Sequence, residues 1–325
     1  MRIVVNVADA GKNLSNKKPC PPMAQSSNPD TSQTFHTPVL LNEVIQYLAP
    51  VDGGIYVDGT LGLGGHAEKI LRYCGPSGRV IGFEWDAAAL KLAMNRLTSY
   101  GQRFCALHRN YAEIREGLNE IDILRVDGLL LDLGVSSLQF DSDERGFSFQ
   151  KNGPLDMRMD NRTHLTAEKL INDFSQEDLA DIFFYYGEER QARRIAAHIV
   201  EQRAKAKITT TSHLARIVAA AVPKKYQPRK IHVATKIFQA LRIAVNRELD
   251  NLTTILDSIS KILKPGGRIC IISFHSLEDR LVKRKFKDNP ELQILTKKPV
   301  TPNEEEIKVN PRARSAKLRA AYMKG

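Results

Sequence analysis

The chain has 325 residues, of which 42% are hydrophobic and 26% are charged, as is ordinary for a soluble globular protein of one large or two modest domains. The formal net charge of +11 is high for an enzyme of small molecules and favours a polyanionic partner over a merely basic surface. We expect no membrane segment, because no apolar run approaches the length of a span, and no metal, because the four cysteines show no zinc-ligand spacing. A reducing cytoplasm is the simplest location that agrees with these features.

The first 34 residues are predicted to form a disordered extension, since they have no signal-peptide core and end rich in Pro, Ser, Asn and Gln. Strand-like and helix-like patterns alternate in the segment that follows. The predicted helices cover residues 38–48, 67–71, 87–100 and 111–118, and the predicted strands cover residues 55–57, 78–84, 104–107 and 126–133. This alternation predicts a parallel sheet with right-handed crossovers.

The alternation stops between residues 137 and 230, where the pattern predicts several helices and no convincing strand. It resumes with one long helix at about residues 234–263 and a strand at residues 268–274. We therefore predict an α/β fold with a discontinuous, doubly wound domain formed by residues 35–136 and 231–325. Residues 137–230 are predicted to form an inserted, all-helical domain.

A glycine-rich turn, DGTLGLGGH at residues 58–66, joins a predicted strand to a predicted helix. Glycines let the backbone approach a ligand closely, and the free N–H groups of a helix start bind polar ligand atoms. The spacing G-x-G-x-x-A at residues 62–67, with Glu84 further on, fits a loose dinucleotide fingerprint, so an NAD-dependent oxidoreductase is one interpretation. Asp58 favours S-adenosylmethionine instead, because a carboxylate before the glycines repels a diphosphate but suits a cationic amino group.

Acids and one aromatic residue follow the predicted strands on the side where open α/β sheets bind their ligands. Glu84 is predicted to accept hydrogen bonds from ribose hydroxyls, whereas Asp86 suits the N-cap of the next helix. Tyr111 can flank an adenine, although a lone aromatic residue is as often part of the core. Asp132 can hold a substrate amine or assist the loss of its proton, and the alternative is an ordinary acid in a strand-end turn.

The segment SFHSLEDR at residues 273–280 places a histidine between two serines, which invites comparison with hydrolases. Because no G-x-S-x-G turn accompanies it, we interpret Ser276 and Asp279 as a capping box for the helix that follows. Two basic segments, residues 224–230 and 311–319, are either solvated surfaces or a phosphate-binding rim, and the position of the first beside the insertion favours a rim.

Nine motifs resemble, in order, those of the ribosomal RNA small-subunit methyltransferase H family, also called MraW. They are HTPVLL (36–41), DGT-x-G-x-GGH (58–66), LDLGVSS (131–137), RGFSF (145–149), GPLDMRM (153–159), YGEER (186–190), FQALR (238–242), ISFHSLEDR (272–280) and NPRARS (310–315). The resemblance runs from about residue 36 to near the C-terminus.

The resemblance implies N4-methylation of a cytidine in the decoding region of 16S rRNA, with S-adenosylmethionine as cofactor and the small ribosomal subunit as partner. It also implies a Rossmann-like class I methyltransferase domain that carries an inserted helical domain for substrate recognition. Glu84 stands where the family has an aspartate, and Tyr111 stands where it has a phenylalanine. By position, the implied cofactor contacts are Gly64, Gly65, His66, Glu84, Tyr111, Asp132 and Gln139.

For the transfer step, we predict that Asp132 or a backbone carbonyl of residues 134–137 accepts the proton of the amine. The base side of the site is predicted to contain four residues of the insertion: Arg145, Phe147, Asp156 and Arg158. An equally good interpretation of these four is a rigid interdomain loop held by Asp–Arg pairs. A non-catalytic RNA-binding factor remains a third functional class beside the methyltransferase and the oxidoreductase.

Overall fold

In the computed structural model of the protein, residues 38–228 and 231–325 are described. The predicted disordered extension and the last two residues of the first basic segment, Arg229 and Lys230, lie outside the described residues. None of the helices in the described ranges has the length and apolarity needed to cross a bilayer.

The first half of the chain alternates strands and helices, as the sequence predicts. Its elements are α1 (Leu41–Leu48), β1 (Ile55–Asp58), α2 (Gly65–Tyr73), β2 (Arg79–Phe83), α3 (Ala87–Leu97), β3 (Phe104–Leu107), α4 (Ile114–Glu120) and β4 (Val126–Asp132). Short 3-10 helices at Thr98–Arg103 and Tyr111–Glu113 precede β3 and α4.

The second half is mostly helical before it returns to the sheet. Its elements are α5 (Ser137–Asp141), α6 (Ala167–Asp173), α7 (Gln176–Tyr185), α8 (Ala192–Arg203), α9 (Thr211–Ala221), α10 (Thr235–Asn246), α11 (Glu248–Ile262), β5 (Leu263–Ser273), α12 (Ser276–Asp288), β6 (Leu292–Ile294), α13 (Glu304–Val309) and β7 (Lys317–Met323). A 3-10 helix at Pro311–Ser315 precedes β7.

The strands form one seven-stranded sheet in the order β3-β2-β1-β4-β5-β7-β6. Strands β1 to β5 are parallel, and β7 runs antiparallel to both β5 and β6. The register places Asp58 beside Leu130 and Asp132 beside Ile272. The predicted Rossmann-like α/β fold is confirmed, and the strand-end acids therefore lie along the same edge of the sheet.

Both faces of the sheet are covered, which explains the continuous apolar run of β4. Successive side chains of a strand point to opposite faces. Leu129 and Leu131 pack with α11 and α12 on one face, whereas Leu130 packs with α1 and α2 on the other. The same alternation separates Val57 from Tyr56 in β1.

The helical insertion has a hydrophobic core of its own, which extends from Phe147 to Val245. By packing, α10 belongs to this helical unit, although the sequence boundary at residue 230 assigns it to the α/β domain. The single helix predicted at residues 234–263 is wrong, because Arg247 adopts the left-handed conformation (φ 51°, ψ 38°) and separates α10 from α11. Apolar residues continue at helical spacing on both sides of Arg247, and no Gly or Pro lies at the break. The sequence pattern therefore gives no signal that the helix ends there.

Substitution of Gly146 tests how tightly the loop at the start of the insertion is packed. Its φ is +70°, and a Cβ there would lie 2.1 Å from the carbonyl oxygen of Pro154. We expect Gly146→Ala to lower the free energy of unfolding by more than ~2 kcal/mol, since a backbone clash adds to left-handed strain. Gly266→Ala is the matched control, because Gly266 has φ +78° with no atom within 4 Å. Equal losses for both variants in chemical denaturation would contradict the packing argument.

Candidate active site

A cavity opens at the carboxyl ends of β1, β2 and β4 and contains most of the predicted cofactor residues. Gly65, His66, Glu84, Tyr111, Asp132 and Gln139 all line it. Asp58 and Gly64 are immediate chain neighbours of lining residues in the glycine turn. The sequence therefore predicts the place of the site, because parallel strands bring their carboxyl ends together.

The glycine turn has a backbone that side chains would not allow. Gly62 and Gly64 have φ values of +51° and +79°, in the left-handed region. A Cβ on Gly59 would lie 2.4 Å from Leu131, and one on Gly65 would lie 2.4 Å from Pro38. The turn is thus packed closely against Leu131 and Pro38, and α2 begins at the cavity wall.

Asp58 is a buried acid with an unused oxygen. The Thr60 N–H donates to Oδ1 at 3.2 Å, and Oδ2 has no hydrogen-bond partner among the described residues. Burial raises the pKa of Asp58 to about 7. An unpaired buried carboxylate oxygen is costly alone but suits a cation, so Asp58 fits the amino group of S-adenosylmethionine.

Glu84 organises the turn after β2 as well as facing the cavity. Its carboxylate accepts hydrogen bonds from the N–H groups of Gly62 (2.8 Å), Trp85 (3.0 Å) and Asp86 (2.9 Å). Burial raises its pKa to about 7. Oε1 already accepts two of these bonds and Oε2 accepts one, so one acceptor site on Oε2 is left for a ribose hydroxyl, and this contact stays a prediction.

Asp132 ends β4 with its carboxyl group facing the cavity. Its N–H donates to Thr60 Oγ1 at 2.6 Å, and Oδ1 is buried with no hydrogen-bond partner in the described part of the chain. The pKa of Asp132 lies well above its usual value, chiefly because of burial and then because of the neighbouring carboxylates of Asp58 and Glu278. The side chain still keeps 24% of its surface exposed, so it remains reachable from the cavity.

His66 lies beside Asp132 without forming a charged pair with it. Its Nε2 is 3.0 Å from the carbonyl oxygen of Val39, and its Nδ1 is 3.7 Å from Asp132 Oδ2. Burial lowers the pKa of His66 to about 4, so the ring is neutral at pH 7. If Nε2 carries the proton that Val39 accepts, Nδ1 offers a lone pair toward Asp132.

Tyr111 and Gln139 are each held by a hydrogen bond to a neighbouring residue. The Tyr111 hydroxyl donates to the carbonyl of Glu248 at 3.3 Å, and its ring lies 6.1 Å from that of Trp85. Gln139 donates through Nε2 to the Asp86 carboxylate at 3.0 Å. Asp86 also caps α3, as predicted. These bonds orient an aromatic ring and an amide toward the position expected for adenine and its ribose.

None of the four predicted base-side residues is among the described residues that line the cavity. Arg145 donates to Asp86 at 2.8 Å and to the carbonyl of Arg158 at 2.8 Å. Arg158 donates to Asp156 at 2.7 Å, and Phe147 is buried in the helical core. These contacts favour the interpretation as a rigid interdomain loop, and a direct contact with substrate stays a prediction.

A cluster of two buried glutamates and a half-buried histidine, in which both glutamates line the cavity, is missed by the sequence analysis. Glu248, His275 and Glu278 offer ligand atoms that lie within 4.8 Å of one another, a spacing that a metal ion accepts. Glu248 is already paired with Arg242 at 2.8 Å, however, and Glu278 accepts from the Phe274 N–H at 2.9 Å. We therefore assign the cluster to holding the turn between β5 and α12.

The cap of α12 also corrects the predicted capping box. The side chain of His275 accepts from the Glu278 N–H at 3.4 Å, and the Glu278 carboxylate accepts from the His275 N–H at 3.3 Å. The predicted box of Ser276 and Asp279 is wrong by one position. The sequence signal was present, because Glu is the usual partner three residues after a cap.

Comparison with known proteins places these features in context. A sequence model of the MraW methylase family matches residues 33–324. Ribosomal RNA small subunit methyltransferase H of Desulfotalea psychrophila is 56% identical over 89% of this chain and 98% of its own length. The protein of the same name from Cyanothece sp. is 52% identical over 88% of this chain and 94% of its own.

Two solved structures are more distant. A putative rRNA-methylase from Clostridium thermocellum has a TM-score of 0.43 at 11% identity, over 90% of this chain and all (100%) of that one. Fibrillarin from Aeropyrum pernix, in complex with S-adenosyl-L-methionine, has a TM-score of 0.37 at 12% identity, over 83% of this chain and 67% of that one.

Proton release on cofactor binding tests the role of Asp58. A bound cation favours the ionised carboxylate, so its pKa of about 7 should fall and a proton should leave near neutral pH. We expect the affinity for S-adenosylmethionine to weaken as the pH falls below 7. The Asp58→Asn variant should bind S-adenosylmethionine more weakly than the wild type at pH 8, and its binding should release fewer protons at pH 6.5.

Calorimetry at pH 6.5 in buffers of different ionisation enthalpy measures the released protons. Asp52→Asn is the control, because Asp52 is an exposed acid whose pKa is lowered by its bonds to Ser77. Identical proton release from the wild type and Asp58→Asn would rule out Asp58 as the partner of the cation.

Proposed function

Because the chain belongs to the MraW methylase family of S-adenosylmethionine-dependent methyltransferases of small-subunit rRNA, we propose that it methylates N4 of a cytidine in the decoding region of 16S rRNA. The observation that carries the proposal is the buried, unpaired Oδ1 of Asp132 at the end of β4. It lies in the same cavity as the glycine turn, where the methyl donor is expected.

The chemistry of an amino nitrogen agrees with this acidic end of the cavity. The N4 lone pair of cytosine is delocalised into the ring, so the nitrogen needs an acceptor for its proton as the new bond forms. Asp132 and the backbone of Gly134–Ser136 line the cavity and offer such acceptors.

Bound S-adenosylmethionine supplies an electrophilic methyl group on a positively charged sulfur. The residues of this chain would supply alignment and charge: Asp58 would hold the cationic amino group, the Gly64–His66 backbone would bind the donor, and Asp132 would accept the proton of the amine. The raised pKa of Asp132 matches a group that takes up a proton during the reaction. Nδ1 of His66 lies 3.7 Å from this carboxyl group, so the neutral ring is its neighbour without a hydrogen bond to it.

The RNA substrate must present an unpaired, unstacked base, because an enclosed cavity cannot receive a base within a helix. Exposed cations on the two basic segments, Lys224 and Lys225 on one and Arg312 and Arg314 on the other, provide partners for phosphates. This distribution of charge supports a polynucleotide substrate.

The direct test is methyl transfer from labelled S-adenosylmethionine to small subunits that lack the modification, followed by nucleoside analysis. We expect the label in N4-methylcytidine. Label on a ring carbon or on ribose would overturn the N4 assignment, whereas steeply salt-dependent binding without transfer would indicate a non-catalytic RNA-binding factor.

Asp132→Asn tests the proton acceptor. At saturating cofactor, we expect kcat to fall about a hundredfold or more, since the amide cannot take up the proton. The wild-type kcat should decline as the pH is lowered, because the protonated carboxyl group is no longer an acceptor. Asp127→Asn, at the opposite end of β4 where Asp127 pairs with Lys264, is the control and should turn over normally. Near-normal turnover of Asp132→Asn would leave a loop carbonyl as the acceptor.

A further inference from the structure

The rim of the cavity carries an aromatic ring and a guanidinium group from two distant segments. Phe140 belongs to α5, which follows β4, and Arg312 belongs to the 3-10 helix Pro311–Ser315, which precedes β7. The guanidinium carbon of Arg312 lies 5.0 Å from the centre of the Phe140 ring. Arg312 and Gln139, the chain neighbour of Phe140, both line the cavity. The pair therefore stands at the mouth of the active site.

The backbone on both sides of this pair is anchored, although the side chains are not buried. Ala313 is fully buried, and its N–H donates to the carbonyl of Asn310 at 3.0 Å. On the other side, the Gln139 N–H donates to Ser136 Oγ at 3.3 Å, and the Gln139 side chain donates to Asp86. The ring and the guanidinium group are thus presented from fixed positions.

The exposed ring of Phe140 offers a flat apolar surface on which a ligand with a flat face can stack. The ring keeps 37% of its surface exposed, although burial of an aromatic side chain is favourable. A cation over an aromatic ring, beside a basic segment, is the combination with which proteins hold single-stranded nucleic acids. The base stacks on the ring, and the guanidinium group pairs with a phosphate.

We propose that Phe140 and Arg312 form a subsite for one unpaired RNA nucleotide, the one next to the methylated cytidine. The inference rests on the proposed function, because it requires an RNA substrate. Residues 134–136 line the cavity between Asp132 and this rim, so the subsite adjoins the reactive end. Stacking of the neighbouring base offsets the cost of removing the cytosine from its own stack. Because every base has a flat face, the subsite recognises an unpaired nucleotide whatever its base.

Phe140→Ala and Phe140→Trp test the stacking contact. With unmethylated small subunits as substrate, we expect Phe140→Ala to lower kcat/KM about tenfold or more and Phe140→Trp to retain most of it. The affinity for S-adenosylmethionine, measured by calorimetry, should change less than about twofold, since the ring lies outside the donor region.

Tyr73→Ala is the matched control. Tyr73 is also an exposed ring, 53% accessible, with the Lys69 ammonium 5.3 Å from its centre. Neither Tyr73 nor Lys69 is among the described residues that line the cavity. This variant should leave kcat/KM unchanged, and an equal loss would show that any exposed aromatic–cation pair has the effect.

Arg312→Ala and Arg312→Lys test the phosphate contact. We expect Arg312→Ala to weaken subunit binding and to reduce the slope of log Kd against log salt by about one, whereas Arg312→Lys keeps the slope and loses part of the affinity. The double variant Phe140→Ala/Arg312→Ala should lose less than the sum of the single losses, because both groups hold one nucleotide.

Two results would overturn the subsite. The first is wild-type kcat/KM in Phe140→Ala, and the second is a loss of cofactor affinity in parallel with activity, which would mean that the pair only positions α5 and Gln139. Both results apply only when the wild-type enzyme produces N4-methylcytidine in the same assay. Failure of the wild type to produce that nucleoside would instead contradict the proposed function itself.

Discussion

The convergence of buried carboxylates at one edge of the sheet is the constraint on which the site depends. The parallel register places the ends of β1 and β4 side by side, and burial together with the neighbouring Asp58 carboxylate raises the pKa of Asp132. Each retains an oxygen without a hydrogen-bond partner in the described residues. Charge of this kind is tolerated where a cation arrives to compensate it. Two neighbouring acids with unpaired oxygens among the described residues therefore favour a positively charged donor.

Asp86 connects this edge to the helical insertion. It caps α3, accepts from Gln139 and Arg145, and donates its N–H to Glu84. Arg145 in turn holds the carbonyls of Arg158 and Met159, and Asn246 accepts from the Met159 N–H at 2.7 Å. A loop of the insertion is therefore clamped against the residues that face the cofactor. The insertion has its own core, and this polar contact acts together with the bonds of Ser276 and Arg280 to Glu188 to hold it in place.

The cavity divides into an acidic interior and a basic, aromatic rim. The interior contains the carboxyl groups of Asp58, Asp132 and Glu278, and burial raises the pKa of the first two, whereas Arg312 and Phe140 face the solvent at the entrance. An anionic strand is attracted to the basic rim, while a neutral base can enter the interior. This arrangement lets the backbone of a polynucleotide stay outside while one base reaches the methyl donor.

The sequence by itself determined the strand-ending acids, the glycine turn and the interrupted α/β pattern, because each of these follows from local spacing and backbone preference. Only the tertiary structure decided which polar groups meet across the chain. The sequence leaves a substrate contact and a structural Asp–Arg pair equally open for Arg145, and the structure pairs it with Asp86. Arg247 interrupts a periodic helix without a Gly or Pro to announce it. Arg312 reaches Phe140 only because β7 returns beside β5. Such pairings depend on long-range packing, which leaves no periodic trace in the residues that form them.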